Sequence, residues 1–440
     1  MAARLDTLEY DLSVVMGDNY SILIDPEHEK HGDLLETMGL IVKRVNWKDN
    51  PYLVVKYDKA KLTPDAVNTS GLFRSVVISL NSGKIVSFSP PKSVGFQQYS
   101  KVADAWENTR AEEFIEGTMV NVFHADGEWE IATRSMIGAN GRFYNDGGKS
   151  TFRSMFLDAV RLCASNGSDP ETFYTKLDPT LSYSFVFQHP DNQIVTPKTK
   201  PELYLIRAYR IEDMHITEFL PNSPEVTTIT RSDDSAITVD SPYIYELEHL
   251  KGFDGLEADW QTMNRTHTDI GVVLVNKTNN TRTKLRNPTF EMVRNLRGNQ
   301  PKLQFQYLSL RKEGKVGQYL RYFKQASEPF SQYRSQLHTF TDTLHKNYVS
   351  CFVRKEKTLK EYPAQFKTHM YALHGMFLSS LREQGEFVSM KVVIDYVNAL
   401  PTPRLMYSLN WHPRKNVLME KAADLELHEE ANSPPIASAN

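Results

Sequence analysis

Cysteine is nearly absent: Cys163 and Cys351 are the only two in 440 residues. Two thiols cannot build the disulfide framework of a small secreted domain, and they fit a reducing compartment. No run of 18 apolar residues occurs, which excludes a helix long enough to span a bilayer. The first residues carry Asp6, Glu9 and Asp11 where a signal peptide would be basic and then apolar. Charge of either sign is in little excess: 51 Lys and Arg stand against 54 Asp and Glu, for a net −3. No global field draws such a chain to nucleic acid or membrane, so any attraction of that kind has to be local. His28 and His31 form a pair without a third or fourth donor nearby, and read as a polar loop. No internal repeat interrupts the chain.

What is present is ordinary globular material, 40% hydrophobic and 24% charged, in a length that accommodates two or three domains. Residues 1–50 are mixed, with a helix expected around Gly32–Met38, and read as an N-terminal extension. From Pro51 to about residue 298 the pattern is mainly β. From 299 to 411 it is helical. Tyr333, Leu337, Phe340, Leu344, Tyr348 and Phe352 recur at spacings of three and four, as do Met370, Leu373, Phe377 and Leu381. Such aromatic stripes predict a packed core, with His345, His369 and His374 as packing or surface residues. Residues 412–440 have no periodicity, contain Asn-Ser-Pro-Pro, and are expected to be disordered. The fold class expected is α+β, an antiparallel-sheet domain followed by an all-α domain.

The β region carries its motifs in hairpins. Leu53–Tyr57 is a strand containing Lys56-Tyr57-Asp58. Leu72–Ile78 and Ile85–Phe88 flank a turn at Asn81-Ser82-Gly83, and Arg74 falls in the first of them. Pro90-Pro91 then fixes the chain and directs Lys92 outward. Glu116-Gly117-Thr118 opens a strand that turns at Asp126-Gly127, a strong turn dipeptide, and returns to Thr133-Arg134-Ser135. Gly138–Gly148 reads as a loop and Thr151–Cys163 as an amphipathic helix. Phe185–Gln188 is a strand, His189-Pro190-Asp191-Asn192 a turn, and Gln193-Ile194-Val195 a second strand start. Ile270–Val275 is a buried strand, and Arg282–Arg286 returns beside it with alternating basic residues. From residue 282 to 324 there are 11 Lys or Arg against Glu291 and Glu313, the one local excess suited to a polyanion.

Taken in this order, the motifs resemble those of the covalent nucleotidyltransferases, and in particular the phage-type RNA ligases of the tRNA-repair class. In that family a lysine, one spacer, an acid and a glycine open a strand at the nucleotide pocket. Glu116-Gly117-Thr118 resembles its Asp-Gly-Ser, and Thr133-Arg134-Ser135 its Thr-Arg-Gly. Arg74 stands where a phosphate-contacting arginine is found, with Ser75 in place of glycine. Lys92 lies near the lysine after the next strand. Phe185–Val195 resembles Phe-Glu-Leu-Val-His-Pro-x-Asn-Arg-Ile-Val, Ile270-Gly271-Val272-Val273 resembles Glu-Gly-x-Val, and Lys284-Leu285-Arg286 resembles the closing Lys-x-Lys. The resemblance spans roughly residues 50–300 by motif and 300–410 by helical character.

Its departures fall on the chemistry. Phe114 occupies the lysine nucleophile position, Val186 and Ile270 replace two acids (Asp269 is adjacent to the second), and Gln193 replaces an arginine. The resemblance implies a nucleotide- and phosphate-binding set of Arg74, Lys92, Glu116, Gly117, Arg134, Lys284 and Arg286 and, if activity survives, ATP and Mg²⁺. It leaves three functions open. One is a degenerate ligase that binds a nucleotide or RNA ends; the second is an active RNA ligase or guanylyltransferase with Lys56 or Lys92 as a displaced nucleophile. The third is an interaction protein whose helical domain binds partners. Phage-type motifs joined to an acidic tail point to a large DNA virus, hence to the host cytoplasm or the virion.

Overall fold

The computed structural model describes residues 7–102, 104–143, 150–163, 170–226, 229, 239–261 and 265–411. The expected disordered tail lies outside these residues, as does part of the Gly138–Gly148 loop. Two compact units divide the chain, Met1–Arg297 and Gly298–Asn440.

The first unit is built on antiparallel strands: β1 Leu8–Asp11, β2 Leu40–Trp47, β3 Asn50–Tyr57, β4 Val76–Ser79, β5 Lys84–Ser87, β6 Thr109–Glu113, β7 Thr118–Ala125, β8 Glu128–Thr133, β9 Met136–Ile137, β10 Leu181–Gln188, β11 Glu202–Glu212, β12 His215–Phe219, β13 Ile244–Tyr245, β14 Gly271–Asn276 and β15 Arg282–Arg286. They form three sheets, ordered β1-β12-β11-β10-β7-β8-β9, β13-β6-β14-β15 and β2-β3-β4-β5. All eight residues of β10 are buried. Covered on both faces, this central strand still carries Ser182, Ser184 and Gln188, which donate to Ser87, Asn121 and the Glu116 carbonyl. The β7–β8 hairpin closes as its turn residues predict: Ala125 pairs with Glu128, and Asp126 and Gly127 take φ values of 52° and 84°. Positive φ at both central positions matches the twist of the strands. The helix over Phe152–Cys163 buries Met155, Phe156, Ala159 and Val160 against the large sheet.

The segment read as an N-terminal extension is not an appendage over its described residues, from 7 on. β1 pairs with β12 at the edge of the large sheet, and β2 pairs with β3 along its full length. Four residues, of which Leu8 and Tyr10 point inward, carry too little periodicity to announce a strand. Two further expectations are corrected. Arg74 precedes β4 and follows a short helical turn at Ser70–Leu72, so it sits in a connection and not in a strand. No strand forms at Gln193–Val195. There the Val195 amide donates to a side chain, Glu116 Oε1, at 2.7 Å, in place of a ladder partner.

The second unit is helical, and among its described residues no strand occurs. Phe330, Leu337, Phe340, Leu344 and Tyr348 on the helix Ser327–Tyr348 are buried. Each such side chain contributes about 1.5–3 kcal/mol when removed from water. His369 is buried: its Nδ1 lies 2.9 Å from the Tyr396 hydroxyl and its Nε2 2.8 Å from Ser408 Oγ. No helix among the described residues is long and apolar enough to cross a membrane.

Candidate functional site

The site forms where the chain leaves one sheet and enters another. β6 ends at Glu113, Phe114–Gly117 crosses over, and β7 begins at Thr118. Glycine is required at the crossover. Gly117 has φ +146°, and a β-carbon there would lie 2.4 Å from the Phe187 carbonyl oxygen. Gly271, at the start of β14, has φ +142° and approaches the Leu285 carbonyl in the same way. Its carbonyl accepts from the Phe114 amide at 3.3 Å.

Beside this crossover lies a cavity of about 370 Å³ whose lining includes Tyr57, Phe96, Arg74, Lys92, Lys284 and Arg286. A smaller one of about 110 Å³ includes Phe114, Val186, Arg282, Lys284 and Arg74. The four cations of the larger cavity come from separate segments. Arg74 donates to the Pro90 carbonyl at 3.3 Å. Lys92 donates to the Ser93 carbonyl at 2.7 Å and is half-buried, not directed outward. Prolines fix φ but not the direction of the next side chain, which follows the cavity wall here. Arg282, Lys284 and Arg286 alternate on β15, so all three leave the strand on one face. Lys284 Nζ lies 4.8 Å from the centre of the Phe114 ring and the Arg286 guanidinium 5.2 Å. At the resembled lysine position, an aromatic ring is therefore capped by two cations.

Burial first, and like charge second, displace these groups from their ordinary pKa values. Burial, reinforced by Arg282, pushes the Arg74 guanidinium down to about 10. Burial and then Arg74 and Arg286 lower Lys92. Lys284 is held well below the ordinary lysine range by burial and by Arg74, Arg282, Arg286 and Arg294. The Nε atoms of Arg282 and Arg286 are buried without a hydrogen-bond acceptor. Of the cavity's four cations only Arg286 has a carboxylate partner among the described residues, Glu291 at 3.0 Å, and an anionic ligand would supply the missing counter-charge of the others.

Other sequence candidates sit elsewhere. Lys56 neighbours Tyr57 on β3 and so points to the opposite face, where its amine donates to Ser135 Oγ at 2.9 Å. Arg134 braces the cavity from behind: it donates to the carbonyls of Arg74 and Tyr57 and stacks 4.6 Å over the Tyr57 ring. The Glu116 carboxylate accepts from the amides of Val195 and Thr196, at 2.7 and 3.0 Å, and is absent from both linings. Burial raises it despite these bonds. Val186 is buried on the wall of the smaller cavity.

Sequence reasoning missed Tyr57, Phe96 and Arg282 as wall residues. It also missed a buried network that ties β6 to the large sheet. Arg207 donates to both oxygens of Glu112, at 2.5 and 2.6 Å, and to Glu218 at 2.6 Å. Arg110 donates to Glu112 at 2.8 Å and Tyr10 to Glu218 at 3.0 Å. Burial alone would raise Glu112, but Arg207 and Arg110 hold it below its ordinary range. No signal along the sequence pairs charges that lie 95 residues apart.

The Mg²⁺ implied by the resemblance does not fit these residues. Mg²⁺ takes hard oxygen ligands, usually one or two carboxylates besides the phosphates, and the larger cavity is lined by none. Glu112 is bound by two arginines, Glu113 accepts from the Tyr243 amide, and Glu291 pairs with Arg286 and Arg294. Asp269 is exposed and accepts from Thr266. Among the described residues no group of three metal-ligating side chains occurs.

No protein-family model matches the sequence. One curated relative, the immediate-early protein ICP-46 homolog of Invertebrate iridescent virus 6, is 25% identical over 283 residues, which cover 62% of this chain. The chain spans 58% of that relative's length. Among solved structures, an archaeal ATP-dependent RNA ligase aligns with a TM-score of 0.41 and 13% identity, covering 70% of this chain and 79% of its own. A provisionally assigned ATP-dependent DNA ligase from Aquifex aeolicus aligns at 0.38 and 12%, covering 80% of each. A Naegleria gruberi RNA ligase solved with AMP and manganese aligns at 0.33 and 14%, covering 46% of this chain and 56% of its own.

Proposed function

We propose that this chain is an RNA ligase-like protein that binds a nucleotide or the phosphorylated end of an RNA strand without forming a lysyl-nucleotide. One observation carries the proposal: Arg74, Lys92, Lys284 and Arg286 converge on one cavity, while Phe114 stands where the resembled motif has its lysine. Phosphate needs positive charge and donors, which this wall supplies. Tyr57 and Phe96 add aromatic surface on which a base can stack. Adduct formation needs more: an amine about 3–3.5 Å from the α-phosphorus, in line with departing pyrophosphate. A phenyl ring has no lone pair to offer. The viral relative supports a viral setting, with host cytoplasm or virion as the proposed compartments.

Binding to single-stranded RNA should weaken with salt. A log–log slope of about −2 is expected if Arg74, Lys92 and Lys284 neutralise one phosphate each, at about −0.7 per phosphate, since Arg286 is already paired with Glu291. Lys92→Gln should flatten it by about one such step. An affinity indifferent to salt and to these substitutions overturns the proposal.

A second reading, an active ligase or guanylyltransferase, is favoured by Lys92, whose amine reaches the cavity and titrates below its ordinary range. Incubation with α-labelled ATP or GTP and Mg²⁺ or Mn²⁺, followed by denaturing electrophoresis, separates the two. No labelled band is expected. A band abolished in Lys92→Ala or Lys56→Ala replaces the binding proposal with the catalytic one.

A further inference from the structure

We propose that the cavity at Arg74, Lys92, Lys284 and Arg286 takes a di- or triphosphate chain as the free anion, and that a divalent metal ion competes with the site instead of completing it. This rests on the phosphate-binding function proposed above and specifies its ligand. The lining carries four cationic side chains and no carboxylate, imidazole or amide side chain. The polar atoms that face a ligand there are donors, or hydroxyl and carbonyl oxygens too weak to hold a divalent ion alone. The Lys284 side chain makes no ion pair or side-chain hydrogen bond among the described residues, and its Nζ lies 4.8 Å from the centre of the Phe114 ring. The Nε atoms of Arg282 and Arg286 are buried and unpaired.

The nearby carboxylates are already committed. Glu291 neutralises Arg286 and Arg294 at 3.0 and 3.1 Å, and Glu112 belongs to the buried network with Arg110 and Arg207. A metal ion seated there would face Arg74, Lys92 and Lys284 with no carboxylate in the lining to offset them. Chelation also cancels two of the negative charges on the polyphosphate, which are the charges this wall is built to meet. Mg²⁺ thus acts twice against binding: it occupies the ligand's oxygens and it removes the electrostatic attraction.

The test is calorimetric titration of the full chain with sodium tripolyphosphate and, separately, with ATP, each in EDTA and in excess Mg²⁺. Binding of both ligands is expected in EDTA, and the affinity should fall about tenfold or more in Mg²⁺. Binding of ATP alone would assign the site to a nucleotide, and binding of both to the phosphate chain itself. Lys92→Gln and Arg286→Gln, each checked for an unchanged far-ultraviolet spectrum, should lose affinity in EDTA. Equal or tighter binding in Mg²⁺ overturns the inference and leaves the proposed function standing. Absence of binding in both buffers overturns the two together.

Discussion

Lys284 combines a depressed pKa with a place on two cavities, and both follow from its neighbours. Arg74, Arg282, Arg286 and Arg294 surround it, and Phe114 desolvates it from the crossover side. Glu112 and Glu113, the carboxylates on the smaller cavity wall, are engaged by Arg207 and Arg110 and by the Tyr243 amide. The unfolded chain holds the lysine proton up to the ordinary value near 10.4, while the folded chain releases it earlier. Below the folded pKa the buried charge costs stability, and this cost is relieved as pH rises toward the ordinary value. A bound polyphosphate reverses the depression, so binding takes up a proton wherever the free amine is neutral. Tripolyphosphate affinity should therefore rise as pH falls from the ordinary lysine pKa toward the depressed one. Titration in buffers of different ionisation enthalpy should show the proton uptake. In Lys284→Arg, whose guanidinium stays charged, both the pH dependence and the uptake should diminish. A pH dependence unaltered in that variant assigns it to another group.

At the level of elements, the crossover is held by a glycine and by buried charge. Gly117→Ala places a methyl group against the Phe187 carbonyl and the Val186 side chain, 2.4 and 2.6 Å away. The unfavourable φ alone costs about 1–3 kcal/mol, and the collision adds to it. Arg207→Ala leaves Glu112 and Glu218 without their shared counter-ion on β6 and β12. Breaking one partner out of a buried pair costs about 3–5 kcal/mol. Both variants should unfold at clearly lower urea concentration than the parent chain. An Arg207→Ala unfolding free energy within about 0.5 kcal/mol of the parent, the ordinary range for surface changes, shows that the network is solvated.

For the whole molecule, the two units should answer to different perturbations. Polyphosphate binds a cavity of the first unit, so it should raise that unit's unfolding midpoint in proportion to ligand excess. The second unit carries His369, which burial and then Arg404 lower to about 4. Its neutral ring bridges Tyr396 and Ser408. The unfolded chain binds the proton below about 6.5 and the folded unit only near 4, so stability is lost as pH falls through that window. The full loss amounts to about 3 kcal/mol. Urea unfolding followed by helical circular dichroism at about pH 7 and about pH 5 should show the drop, and His369→Gln should abolish it. A drop of equal size in that variant assigns the acid sensitivity to other groups.

Periodicity determined much of the fold from the sequence by itself. The β7–β8 hairpin, the Phe152–Cys163 helix, the β14–β15 pair and the helical second unit are local patterns, legible because each depends on residues close together in the chain. The cations on β15 were legible as an alternating run, and the loss of a lysine at Phe114 as a departure from a motif. Tertiary structure alone decided what these residues do together. It brought Arg74 and Lys92 onto the same wall as Lys284 and Arg286, turned Lys56 away and placed Arg134 behind the cavity. It also gave the Glu116 carboxylate to two backbone amides. It drew residues 8–47 into two sheets and joined Glu112 to Arg207. The physical reason is range. Hydrophobic period and turn chemistry act over a few residues, whereas desolvation and charge pairing depend on which distant segments the sheets bring within a few ångströms.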